Sequence, residues 1–186
     1  FVYYRGAAYG GHNIYAVYSN NTSGDTKGST LPNCTAYAWG RFYEIIGEKP
    51  NLCGGRTGNA EQWWLCDGKH SGKYAELNDG YERGQEPRVG AVACWQDKSD
   101  LDDGDGVVGH VAIVEKVDLE NNTIWTSESN YANEKYSYEN LSHFNVIKRT
   151  NEDGNWQGYS SQKFQGFIYP PIVTVKEDQL CTKNSY

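Results

Sequence analysis

Pro32-Asn33-Cys34-Thr35-Ala36-Tyr37-Ala38-Trp39-Gly40-Arg41-Phe42-Tyr43-Glu44-Ile45-Ile46-Gly47 is a loop that turns at once into an apolar pattern of helical period. Ala36, Ala38, Trp39, Phe42, Tyr43, Ile45 and Ile46 recur about three and four apart, which predicts a helix from about Thr35 to Ile46 stopped by Gly47. Cys34 then stands at the helix N-terminus. There the unpaired N–H groups and the positive end of the helix dipole favour thiolate, and such sites lower a cysteine pKa from about 8.5 into the range of roughly 3.5 to 7.5. By residue type alone a lone cysteine is more often a small buried hydrophobe, so the nucleophile reading depends on its partners.

Those partners lie downstream. Gly109-His110-Val111-Ala112-Ile113-Val114 puts a histidine at the start of an apolar run that reads as a strand, and Asn122-Thr123-Ile124-Trp125-Thr126-Ser127-Glu128-Ser129-Asn130 reads as the next. With a period of two, Ile124, Thr126, Glu128 and Asn130 share a face, so two polar groups able to orient an imidazole fall side by side. Cysteine, histidine, then carboxylate or amide is the chain order of papain-like sites, in which histidine takes the thiol proton and a third group fixes its tautomer. His12 in a Gly-rich stretch, His70 in a polar loop and His143 in a mixed segment are weaker candidates.

Asn33-Cys34-Thr35-Ala36-Tyr37-Ala38-Trp39-Gly40-Arg41, Thr57-Gly58-Asn59-Ala60, Val89-Gly90-Ala91-Val92-Ala93, Gly109 to Val114, Ser127-Glu128-Ser129-Asn130 and Phe164-Gln165-Gly166-Phe167-Ile168-Tyr169 follow one another along the chain. In this series, from about 30 to 170, the sequence resembles a CHAP domain, a cysteine- and histidine-dependent peptidoglycan amidohydrolase or peptidase, and is similar to the catalytic domains of phage endolysins that act on Gram-positive hosts. The resemblance implies Cys34 as nucleophile, His110 as general base, Glu128 as the carboxylate that orients the histidine and Asn130 as a further polar group beside it. The Cys34 N–H is the natural first donor to an oxyanion. Asn33 is a candidate second donor or a local cap residue. Trp63, Trp64 and Tyr131 are candidates to line a substrate groove, with core packing the expected role of at least one tryptophan.

Composition fits one core. The 186 residues, 38% hydrophobic and 14% aromatic, are read as a single CHAP catalytic domain over 1–173 with a tail or the start of a linker at 174–186. The apolar runs are shorter than the roughly 18 residues of a membrane span, and the first thirty residues lack the layout of a signal peptide, which reads as a protein made in the host cytoplasm and acting on the wall. A chain that opens on Phe1 and contains no methionine is expected to be a processed or excised piece. Net charge of −7 and the absence of basic runs argue against nucleic acid as a partner. The same sign is unfavourable toward an anionic wall, though screening ends that repulsion within about 8 Å, so targeting is expected from a separate wall-binding module beyond the C-terminus.

Five cysteines leave Cys53, Cys66, Cys94 and Cys181 once Cys34 is set apart, in two bridges, one or none. A reducing cytoplasm would keep all five as thiols, and Cys94, in an apolar strand, reads as packing. With no Cys-x-x-Cys pair a zinc site is not expected. The acidic loop over 97–106 departs from the EF-hand order and reads as solvated; no cofactor is required, and calcium remains an option through acids before the nucleophile, where Asp25 stands alone.

A second short helix over about 59–65, strands near 89–96, 110–117, 122–129 and 164–170, and a hairpin at Glu120-Asn121-Asn122 complete the reading. Helices before sequential hairpins give an α+β, papain-like domain with N-terminal helices packed on an antiparallel β-sheet. The expected chemistry is acyl transfer from peptidoglycan: an N-acetylmuramoyl-L-alanine amidase, with an endopeptidase of stem or cross-bridge peptides as the alternative. A non-catalytic wall-binding or bacteriocin-like domain is the reading from a different class.

Overall fold

The computed structural model describes residues 33–55, 60–66, 79–97, 109–130, 144–159 and 162–171. Helix α1 runs Cys34–Ile46. Its N-cap is Asn33, whose side-chain oxygen accepts from the Thr35 N–H at 3.0 Å, and its end is Gly47 in the left-handed region at φ 77°, with the Gly47 N–H returned to the Tyr43 carbonyl. This closes one orphan donor at the start and one orphan acceptor at the end. A 3-10 turn at Leu52–Gly55 and a single helical turn α2, Gln62–Leu65, follow. The second helix is shorter than the 59–65 expected from sequence, and Asn59 lies outside the described residues.

Among the described residues seven strands form one sheet: β1 Arg83–Gly84, β2 Val92–Asp97, β3 His110–Asp118, β4 Thr123–Ser129, β5 Phe144–Glu152, β6 Asn155–Trp156 and β7 Gln162–Ile168. Their order is β1-β7-β2-β3-β4-β5-β6 and every pairing is antiparallel, so β7 returns to lie between β1 and β2. The four strands expected from sequence are present. Strand β5 was not among them, nor were the two-residue β1 and β6.

Alternation along β2 and β3 sends successive side chains to opposite faces and so to two cores. Val92, Cys94, Val111, Ile113 and Ile168 cluster with Ala36, Trp39 and Phe42 of α1 and with Leu52 and Trp63. Ala93, Trp95, Ala112, Val114, Ile124, Phe164, Phe167 and Trp156 form the other. Burying one such large side chain stabilises the fold by about 1.5–3 kcal/mol. A polar strap also ties the helix to the sheet: Arg41 grips Glu115 of β3 through Nε and Nη2 at 2.8 and 2.9 Å, and the Ser127 hydroxyl of β4 donates to the same carboxylate at 2.6 Å.

Cys94 is fully buried, and burial pushes its thiol pKa up to about 12. Cys53 and Cys66 are joined by a disulfide, which fixes one of the pairings the sequence left open and departs from the all-thiol state of a reducing cytoplasm. Cys181, the first 32 residues and the tail from 172 onward lie outside the described residues. Among the described residues no helix is long and apolar enough to cross a membrane.

Candidate active site

Asn33 as cap makes Cys34 the first residue of α1, so the Cys34 N–H has no acceptor within the helix and is available to an incoming oxygen. The Asn33 side-chain oxygen Oδ1 accepts from the Thr35 N–H and hydroxyl, which fixes the side-chain amide against the helix start and accounts for the residue as a cap. Cys34 itself is partly exposed and free of any bridge.

His110 opens β3 directly opposite Trp95 of β2. The residue before it must be glycine: Gly109 has φ +71°, and a Cβ there would meet the Trp95 carbonyl oxygen at 2.3 Å and Glu61 at 2.8 Å. The imidazole is buried, with the Trp95 ring 5.8 Å away and the Tyr159 ring edge-on at 5.2 Å. Its Nε2 meets Glu128 Oε2, and the Cys34 thiol is among the groups near enough to the same ring to raise its pKa. With Nε2 turned to Glu128, Nδ1 is the nitrogen left for the thiol. Burial pulls the His110 pKa down, but the hydrogen bonds and charges of Cys34 and Glu128 outweigh it and raise the value to about 9.

The wholly buried Glu128 lies on β4 with Thr126. Burial favours its neutral form, and His110 and Arg149 overcome that and hold the carboxyl below its ordinary range. Arg149 was not singled out in the sequence: from β5 it donates through Nη2 to Glu128 Oε1 at 2.7 Å. The expected face is therefore present through Thr126 and Glu128, with a cation added from the neighbouring strand. Asn130, just past β4, is half-buried, and its side-chain oxygen accepts from the Tyr159 hydroxyl at 2.6 Å. Tyr159 was likewise missed, since the segment after Trp156 carries no periodic signal.

The tryptophans separate. Trp63 has no exposed surface and belongs to the helix-side core, so its expected place in a groove is corrected to packing. Trp64 is partly exposed and its indole lies against the Gly166 backbone, where an added Cβ would come within 2.3 Å. Tyr131, His12, His70, His143, Asp25 and the loop residues 98–106 lie outside the described residues. Cys53, Cys66 and Asp79 converge, but the two sulfurs are bridged and Arg83 occupies the fourth side, 2.7 Å from Asp79 and 3.2 Å from Cys66 Sγ. A resident guanidinium is the wrong charge for a cation site.

The raised pKa of His110 has a consequence for stability. Below about 6.5 folded and unfolded chains both hold the proton, whereas between 6.5 and about 9 only the folded chain does, so this contribution is present at low pH and lost as pH rises through 9. The melting temperature is expected to fall across that window and to flatten in His110→Gln; equal slopes in both proteins would assign the trend to other groups.

No match is found among curated proteins. Among solved structures an N-acetylmuramoyl-L-alanine amidase from Staphylococcus aureus is similar at TM-score 0.43 and 21% identity, over 80% of this chain and 36% of that one. The chain thus spans about a third of that protein's length, and the likeness is too loose to carry an activity across. The family description is more informative. The CHAP domain matches residues 23–130, more than half of the 186 and inclusive of Cys34, His110, Glu128 and Asn130, though not of Arg149 and Tyr159, and the chain belongs to the CHAP domain family.

Proposed function

We propose that the protein is a peptidoglycan hydrolase that uses Cys34 as nucleophile, acts as an N-acetylmuramoyl-L-alanine amidase and serves in a phage endolysin against Gram-positive walls. The observation that carries the chemistry is a free Cys34 at a helix start, electrostatically coupled to a buried imidazole whose Nε2 is held by Glu128. The Cys34 S–H bond breaks as His110 Nδ1 takes its proton, the sulfur attacks the lactyl carbonyl carbon, the C–S bond forms, and the oxygen takes the negative charge beside the Cys34 N–H. Collapse breaks the C–N bond as His110 passes its Nδ1 proton to the alanine nitrogen. His110 then takes a proton from water, the hydroxide adds to the thioester, and loss of the C–S bond releases the lactyl carboxylate and restores the sulfur.

Endolysin membership and the choice of bond rest on the sequence resemblance, and no cofactor enters the scheme. The Cys53–Cys66 bridge supports a site of action in oxidising surroundings outside the cell. N-terminal labelling of solubilised wall tests the bond. New L-alanine N-termini with cross-links whole are expected; new cross-bridge N-termini with peptide still on muramic acid would make the enzyme an endopeptidase. Binding to walls without any new N-terminus would make it a binding module.

A further inference from the structure

We propose that Arg149 is a positioning residue for catalysis, holding one oxygen of the Glu128 carboxylate so that the other stays aimed at His110. The inference deepens the proposed hydrolysis and rests on it. Arg149 is 3% exposed and fixed on every side. Nη2 donates to Glu128 Oε1 at 2.7 Å, Nε to the Thr126 hydroxyl at 3.0 Å, Nη1 to the Gln157 carbonyl, and the guanidinium lies 4.6 Å from the centre of the Trp95 ring. On β5 it stands directly across from Ile124 and reaches along β4 past Thr126 to Glu128.

Neutralising a buried carboxylate would need one contact. The three donors and the stacked face instead set the plane of the guanidinium, and through it the rotation of the carboxylate. Trp95 is shared, since the ring that carries Arg149 also lies beside His110. The groups facing Glu128 are His110 from β3, Arg149 from β5 and Thr126 from its own strand, with Tyr159 and Cys34 beyond the imidazole. Of these Arg149 alone carries a charge that does not change during turnover. It keeps Glu128 anionic when His110 has given up its proton, and it draws on the carboxylate enough that the imidazolium still releases that proton to the leaving nitrogen.

Three variants test this on a soluble muramoyl-peptide, with Cys34 alkylation by iodoacetamide followed in parallel. Arg149→Met is expected to lower kcat about a hundredfold with KM changed less than about threefold, and to move the acid limb of turnover and of alkylation up by about one pH unit as Glu128 takes up a proton. Arg149→Lys keeps the charge and loses the fork, so kcat should fall about tenfold with the acid limb unmoved. If Arg149→Met does not fold, Arg149→Lys decides: a tenfold loss supports the role and parental turnover overturns it. A lower melting temperature with unaltered kcat and pH profile also overturns it, leaving Arg149 structural. Cys34→Ala separates the two levels, because activity retained there removes the hydrolytic reading itself, whereas an inactive Cys34→Ala beside parental Arg149 variants removes only this inference.

Discussion

Cys34→Ala is expected to lower wall hydrolysis by about a thousandfold or more while the protein still melts cooperatively near the parental temperature. The sulfur is the atom to which the acyl group is transferred, and His110, Glu128 and the helix start cannot replace it. The fold should tolerate the change, since Cys34 is partly exposed, belongs to no bridge, and alanine is a better helix former than cysteine. The Asn33 cap involves Thr35 and survives intact. One accompanying shift is diagnostic: Cys34 is among the groups that raise the His110 pKa, so its removal lowers that pKa and narrows the window in which stability declines with pH. Turbidity loss within tenfold of the parent would rule out the cysteine mechanism. Of the two free cysteines among the described residues, an alkylating agent should find Cys34 first, because Cys94 is fully buried and its thiol is raised to about 12.

The parts of this site that could be read in the sequence are those where one residue's role follows from its own neighbours. Cys34 was placed by the apolar spacing from Ala36 to Ile46, and the helix end by Gly47, whose φ of 77° no other residue adopts so readily. His110 and Glu128 were placed by strands whose inward faces are apolar or bear the polar pair itself. Strand β5 defeats that logic. Its sequence, Phe144-Asn145-Val146-Ile147-Lys148-Arg149-Thr150-Asn151-Glu152, leaves Val146 68% exposed while Arg149 is buried, so the usual alternation is inverted. An arginine is buried there because three acceptors and an aromatic face receive it, and those come from β2, β4 and the segment after β6. Such a role is a property of the assembled sheet, invisible in a window of β5 alone. Tyr159 was missed for the same reason, and Trp63 meets the expectation of core packing for at least one tryptophan, although an aromatic pair at a helix does not say which ring faces inward.

Glu128→Gln is expected to cost more turnover than Asn130→Ala, by a factor of about a hundred or more. An orienting carboxylate replaced by its amide loses about ten-thousandfold in the comparable serine triad, through the wrong tautomer and the lost charge. Here the loss has two parts. Glutamine cannot balance the imidazolium, and it leaves Arg149 buried with its 2.7 Å counter-ion gone, which in buried pairs destabilises by about 3–5 kcal/mol. Turnover is therefore to be measured well below the lowered melting point. The sign in pH follows from the same contacts: Glu128 is one of the groups that raise the His110 pKa, so in Glu128→Gln the imidazolium is lost at lower pH and the alkaline limb moves down. Asn130 is half-buried and bonded to Tyr159, so its removal frees the tyrosine over the ring but leaves the charge on His110 untouched. A loss of about tenfold with an unmoved alkaline limb is expected for Asn130→Ala. If Asn130→Ala is instead the more damaging change in folded protein, the amide orients His110 and the Glu128–Arg149 pair serves the sheet.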